Sequence, residues 1–152
     1  MKRDLVQLVL AFFALSFGGA VEELAPKFGG VGIPLLLSAA AYCAVSRPPL
    51  TGMLFAVAAG AAEDALCGLP YALSVSFFVA MAGLLRGFKL PLFCAAPAFG
   101  LYQIWLWIWF GNSLNGSVFL RFCTAIPVGV LTLAAVCGIL LWLDGKAAVH
   151  EK

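Results

Sequence analysis

Six runs of apolar residues, separated by short polar or glycine- and proline-rich turns, account for nearly the whole chain. A helix needs about 20 consecutive apolar residues to cross the hydrocarbon core of a membrane, which is about 30 Å thick. Gly and Pro, the usual residues of helix ends and turns, stand between the runs. The pattern predicts a single all-α integral membrane domain with six transmembrane helices, over residues 1–152. The predicted spans are residues 5–21, 33–45, 50–66, 71–85, 90–110 and 122–143.

The composition excludes a soluble domain. Hydrophobic residues make up 64% of the 152 residues and charged residues only 11%, and the mean hydropathy is +1.07. A soluble domain of this size cannot bury so much apolar surface, so the surrounding medium must be lipid. Six spans leave no room for a separate soluble domain. No basic run with interleaved aromatic residues indicates binding of nucleic acid.

The distribution of Lys and Arg among the turns predicts the orientation. With the N-terminus in the cytoplasm, the cytoplasmic segments contain seven basic residues and the outer segments contain two. Cytoplasmic loops carry an excess of Lys and Arg, so this bias predicts a multi-pass protein with both termini inside. The seven are Lys2, Arg3, Arg47, Arg86, Lys89, Lys146 and Lys152, and the two are Lys27 and Arg121.

The first apolar run allows two interpretations. A basic start, a short apolar core and the small residues Gly18-Gly19-Ala20 also fit a cleaved secretory signal peptide. We predict a retained span, because every later part of the chain also belongs in the membrane.

The third span contains the most unusual stretch of the chain, residues 52–70. Every fourth residue here is small or acidic, so that one slowly drifting helical face is formed by Gly52, Ala56, Gly60, Asp64 and Gly68. Small residues let two helices approach closely. We therefore predict that this face is a groove for helix packing or for docking of a partner. The candidate residues are Gly52, Ala56, Gly60, Glu63, Asp64, Gly68 and Pro70.

The acid pair Glu63 and Asp64 is the chemically distinctive part of this stretch, because a carboxylate at a helix centre costs about 2.5–3.5 kcal/mol on insertion scales. The predicted orientation places both acids in the outer half of the bilayer. Asp64 can contact a partner there. Alternatively, it can satisfy a hydroxyl or a backbone group across a helix contact, with Ser74, Ser76 and Tyr71 in reach on the following span.

A transport function is a further alternative. An acid inside a helix bundle is typical of proton- or cation-coupled carriers. A small-solute pocket between the helices would have Glu63, Gln103 and Asn112 as its polar groups. Against coupled transport, the two halves of the chain have no matching pair of broken helices.

Catalysis and metal binding have little support in the sequence. Adjacent carboxylates on a helix point about 100° apart, so Glu63 and Asp64 do not face one substrate as a paired acid and base. The one histidine, His150, lies in the tail, and the five cysteines are scattered without a C-x-x-C pair. We predict a non-catalytic protein without a metal or other cofactor.

The central third of the chain resembles the bacterial rod-shape-determining MreD family. The resemblance rests on three motifs over about 45 of the 152 residues. The first is the turn Ala44-Val-Ser-Arg47-Pro-Pro. The second is Gly60-Ala-Ala-Glu-Asp64-Ala-Leu66-Cys-Gly68-Leu-Pro70, which fits the pattern G-x-x-x-D-x-L-x-G-x-P. The third closes the fourth span as Leu84-Leu-Arg86-Gly87. The chain departs from the family at Ala72, where glycine is common, and at Glu63.

This resemblance implies a non-catalytic scaffold subunit of the machinery that elongates the bacterial cell wall and maintains rod shape, located in the inner membrane. The implied direct partner is the bitopic scaffold MreC. More distant partners would be the wall-synthesising glycosyltransferase and transpeptidase and, indirectly, the actin-like filament. The resemblance also implies a six-helix fold similar to the substrate-binding subunits of energy-coupling-factor transporters. Binding of a small molecule as such a subunit is the alternative function.

Overall fold

The computed structural model describes residues 16–21, 33–69, 72–110 and 118–149, and this part of the chain is helical with no β-strand. The prediction of an all-α protein is therefore confirmed for the described residues. Residues 16–21 belong to a first helix, α1. The other elements are α2 (Leu35–Ser46), α3 (Pro49–Cys67), α4 (Leu73–Gly87), a 3-10 turn (Leu92–Ala95), α5 (Ala96–Phe110) and α6 (Val118–Val149).

Within the described part of the chain, three helical segments are long and apolar enough to cross a membrane: Pro49–Cys67, Leu92–Trp109 and Phe119–Leu143. The apolar helices α2 and α4 are shorter, with 12 and 15 residues. At 1.5 Å per residue they extend about 18 and 22 Å. Length and composition thus support a membrane protein. The predicted spans at residues 33–45, 50–66 and 71–85 each coincide with a helix to within about two residues, the scatter usual for helix boundaries. The predicted span at residues 90–110 is formed by the 3-10 turn and α5 together.

The short helix α2 forms the centre of the bundle. It contacts α3, α4 and α6, and its buried residues lie on all sides, including Leu36, Leu37 and Ala39. A helix that is apolar all round is typically buried. The small side chains of its middle part allow three neighbouring helices to approach it. A sharp turn at Arg47-Pro48 leads into α3, with Pro49 at the first helical position, where proline is well tolerated.

Helices α5 and α6 pack closely together, and a glycine on each helix contacts an aromatic ring on the other. An added Cβ at Gly100 would lie 2.6 Å from the ring of Phe122, and an added Cβ at Gly129 would overlap the ring of Phe99. The outer surface of α6 exposes large apolar side chains, among them Phe119, Leu131, Ile139 and Leu141. Such a surface is expected of a helix whose solvent is lipid.

The sixth helix is longer than the sequence pattern predicts. Its predicted span ends at residue 143 and is followed by a polar tail, whereas α6 continues to Val149. Polarity at Asp144 and Lys146 ends the apolar run but not the helix, since lysine and alanine are good helix formers. Helix α6 therefore extends six residues beyond the predicted span, into the residues predicted as a polar tail. Residues 1–15, which contain most of the first predicted span, lie outside the described residues.

Candidate functional site

The small-residue face of α3 makes two different helix contacts. At its beginning, an added Cβ on Gly52 would lie 2.9 Å from the carbonyl oxygen of Cys43 on α2. Towards its end, an added Cβ on Gly60 would lie 2.5 Å from the Cα of Val75 on α4. Between them, Ala56 is completely buried. Because backbone atoms face both glycines, neither position has room for a side chain. The predicted groove is therefore occupied within the chain, by α2 at one end and by α4 at the other.

Asp64 binds the first turn of α4. Its Oδ1 accepts a hydrogen bond of 2.8 Å from the backbone N–H of Ser74, and its Oδ2 accepts one of 3.4 Å from the N–H of Val75. The residue before the helix, Ala72, has no side chain that can cap these groups. Asp64 thus replaces the N-cap residue of a neighbouring helix. Its negative charge lies at the positive end of the α4 dipole, which favours it.

The backbone of Asp64 also terminates its own helix. The amides of Gly68 and Leu69 both donate to the Asp64 carbonyl oxygen, at 2.8 Å in the case of Leu69. Gly68 has a φ of 62° and ends α3 in the left-handed conformation that glycine adopts most readily. The end of α3 and the beginning of α4 therefore meet at one residue. Pro70, the last of the candidate residues, lies outside the described residues.

Glu63 lies in a less polar setting than its neighbour. Only 7% of the residue is exposed, against 8% for Asp64. The Cys67 thiol donates to Glu63 Oε1 at 3.7 Å, and the Tyr102 side chain lies beside the carboxyl group. The other oxygen, Oε2, is buried and has no hydrogen-bond partner among the described residues. The two acids thus face different helices, Asp64 towards α4 and Glu63 towards α5.

Two aromatic residues of α5, Tyr102 and Trp105, form a polar cluster with the start of α4, close to the two acids. The hydroxyls of Tyr102 and Ser74 share a hydrogen bond of 2.6 Å. The indole N–H of Trp105 donates to the Leu73 carbonyl oxygen at 3.2 Å. The Tyr102 ring also packs against Phe77, with centroids 5.1 Å apart. These contacts join α5 to the beginning of α4, the same helix end that Asp64 caps.

The sequence predicts Gln103, and not Tyr102, as a polar group of the alternative pocket. A signal was present: Tyr102, Trp105 and Trp109 follow the spacing of one helical face. Gln103 is half-buried on α5, and Asn112, the third group of the alternative pocket, lies outside the described residues. Among the described residues, no three His, Cys, Asp or Glu side chains are placed to hold a metal ion.

Arg86 makes a matching contact at the opposite end of α4. Its Nη1 donates to the carbonyl oxygens of Ala44 and Arg47, at 3.0 and 2.8 Å. These are the last carbonyls of α2, where the negative end of a helix dipole favours a cation. The first and third motifs of the resemblance thus meet where Arg86 bonds Ala44 and Arg47 at the end of α2. Asp64 of the second motif bonds the start of α4, outside the motifs.

Comparison of the chain with protein-family models, with curated protein sequences and with solved structures finds no match in any of the three.

Proposed function

We propose that the protein is a non-catalytic membrane scaffold of the bacterial cell-wall elongation machinery, of the rod-shape-determining MreD type. The observation that carries the proposal is the pair of helix-end contacts of Asp64 and Arg86. The Asp64 contact fixes the start of α4 to α3, and the Arg86 contact fixes the end of α4 to the end of α2. A hairpin held at both ends suits a protein that holds other membrane proteins in place.

In this proposal the chain spans the inner membrane six times, with both termini in the cytoplasm. The bias of Lys and Arg towards the cytoplasmic segments supports this orientation. Arg86 and Arg47 would then lie at the cytoplasmic side and Asp64 in the outer half of the bilayer. The direct partner is the bitopic scaffold MreC, and through it the glycosyltransferase, the transpeptidase and the actin-like filament.

Depletion of the protein in a rod-shaped host tests the proposal. Cells should lose their rod shape and become round, and a copy of the wild-type gene should restore cell width. The variant Leu54→Ala, which alters an exposed apolar side chain of α3, is the matched control and should also restore the shape. Depleted cells that keep their width and shape would contradict the scaffold function.

Co-purification with the bitopic scaffold tests the role of the hairpin. We expect the variant Asp64→Leu to weaken co-purification, because it removes the acceptor that fixes the start of α4. The Leu54→Ala control should co-purify as the wild type does. Equal recovery of the partner with all three proteins would assign Asp64 to the stability of the fold alone.

The alternative is a substrate-binding subunit of an energy-coupling-factor-type transporter. The cluster of Glu63, Ser74 and Tyr102 between the hairpin and α5 favours it, since a few converging polar groups in an apolar surrounding are typical of small-molecule sites. Binding of radiolabelled vitamins to the purified protein separates the two functions. Tight, saturable binding would support the transporter subunit and contradict a pure scaffold.

A further inference from the structure

The carboxyl group of Glu63 is the one acid of the α3 pair whose charge is not balanced by the surrounding described residues. Only 7% of the Glu63 residue is exposed. Oε1 receives the weak donor of the Cys67 thiol, and the Tyr102 hydroxyl lies beside the carboxyl group. The buried Oε2 receives no hydrogen bond from the described residues. A buried oxygen that lacks a hydrogen-bond partner calls for an explanation.

The neighbouring acid, Asp64, has a carboxylate that is stabilised by hydrogen bonds in the same bundle. Asp64 accepts two backbone hydrogen bonds at the positive end of α4. Those two donors are thereby used, and none remains for Glu63. The titratable groups that face Glu63 are Asp64 and Cys67 on α3 and Tyr102 on α5. On α4, the neutral hydroxyl of Ser74 bonds to Tyr102.

None of these groups carries a positive charge. An ionised carboxylate in apolar surroundings is costly unless a cation or several donors accompany it. The arrangement is therefore complete only when one positive charge is added at Oε2. A multivalent metal does not suit the described residues, because no three His, Cys, Asp or Glu side chains converge on one point.

We propose that Glu63 is a binding site for a monovalent cation inside the helix bundle, which holds a proton, or Na⁺ in its place, at Oε2. Adding the proton forms one O–H bond and converts the carboxylate into a neutral carboxylic acid. The hydroxyls of Tyr102 and Ser74 are the neutral oxygens that can face the bound cation. The enclosed position of Oε2 favours the smaller occupant, the proton.

Infrared difference spectroscopy on the full chain in lipid vesicles tests this site at neutral pH. In choline chloride, the spectrum of the wild type minus that of Glu63→Gln should show the carbonyl band of a protonated acid. The matched control, Asp64→Asn, should leave this acid band in place. If the acid band persists in NaCl, the occupant is a proton; if NaCl converts it to carboxylate bands, the occupant is exchangeable for Na⁺. Carboxylate bands in both salts would overturn the proposal.

Labelling of the wild type with a hydrophobic carbodiimide gives a second readout that needs no variant. The reagent adds to protonated carboxyl groups in apolar surroundings, and mass spectrometry locates the adduct. We expect the adduct on Glu63 rather than on Asp64, with its yield falling as the pH is raised. An adduct on Asp64 in place of Glu63 would contradict the assignment. Both measurements use the isolated chain, so their outcome is independent of any role in wall elongation.

Discussion

At the scale of single residues, Asp64 connects two helix ends through three of its oxygen atoms. Its carbonyl oxygen accepts from the end of α3, and its two carboxylate oxygens accept from the start of α4. Glu63, one position earlier, makes no comparable contact with α4. Two adjacent positions of α3 therefore have different roles. The carboxylate of Asp64 stabilises the fold, whereas that of Glu63 has no counter-charge among the described residues.

We expect Asp64→Leu to lower the free energy of unfolding by about 1–3 kcal/mol, the usual cost when charge-assisted bonds to buried amides are lost. Asp64→Asn should cost less, because its amide oxygen still accepts one bond. Hydrogen exchange measures the effect where it arises: the amides of Ser74 and Val75 should lose protection first. Unchanged exchange at these two amides in Asp64→Leu would contradict the capping role.

Ala72 provides a prediction of the opposite sign. It has a φ of 54°, in the left-handed region that disfavours residues with a Cβ. Ala72→Gly should therefore stabilise the protein by about 1 kcal/mol, since glycine adopts this conformation without the steric cost. The control Ala65→Gly, at an exposed helical position of α3, should instead destabilise by about 1 kcal/mol. Thermal unfolding of the three proteins in one detergent measures both shifts.

At the scale of the elements, the hairpin of α3 and α4 is held together by close backbone contact as well as by Asp64. The sequence identifies both helices to within about two residues, because their hydrophobic runs are bounded by prolines and glycines. It does not identify the partner of Asp64. That partner is a backbone amide, which every residue possesses, and its position depends on the left-handed turn at Ala72.

The contact between Tyr102 and Ser74 could not be predicted from the sequence, for a different reason. The two residues are 28 positions apart, and only the packing of α5 beside the hairpin brings them together. Hydropathy establishes that both helices exist, but it contains no information about which faces meet. The sequence likewise shows that the side chains of Glu63 and Asp64 point in different directions on the helix. It does not show which neighbouring helix each side chain faces.

Substitution of Gly60 tests the helix contact itself. Gly60→Ala should destabilise the protein by about 1–3 kcal/mol, because the added methyl group meets the Val75 backbone and the hairpin must open. The matched control is Gly83→Ala on α4, where nothing lies within 4 Å of the added Cβ. It should be neutral or stabilising by up to about 1 kcal/mol. Equal effects of the two substitutions on thermal unfolding would contradict close packing at Gly60.

At the scale of the whole molecule, the bundle consists of the group α2, α3 and α4 and of the pair α5 and α6. They join through α2, which contacts α6, and through the polar cluster of Tyr102 and Trp105 at the start of α4. Polar bonds between membrane helices average about 0.6 kcal/mol each. The two groups are therefore held mainly by packing around α2, with the polar cluster fixing their register.

Tyr102→Phe isolates the contribution of the cluster to this arrangement. Removal of the hydroxyl breaks the bond to Ser74 while the ring keeps its contacts with Phe77. We expect a loss of about 0.5–1.5 kcal/mol in stability. Ser74→Ala should give a similar value, and the double variant should cost little more than either alone, which a double-mutant cycle of thermal unfolding measures. Fully additive effects would show that the two hydroxyls do not interact.

The unequal lengths of the outer helices have a consequence for the surrounding bilayer. The apolar part of α6 contains 25 residues and α4 contains 15, or about 37 and 22 Å of helix. Both helices expose large apolar side chains, such as Leu84 on α4 and Leu131 on α6. In the proposed six-span arrangement, lipid would compress beside α4 and would stretch, or let the helix tilt, beside α6, and each ångström of mismatch costs a fraction of a kcal/mol. The side of the molecule formed by α4 is thus where replacing lipid by a neighbouring helix relieves the most bilayer deformation.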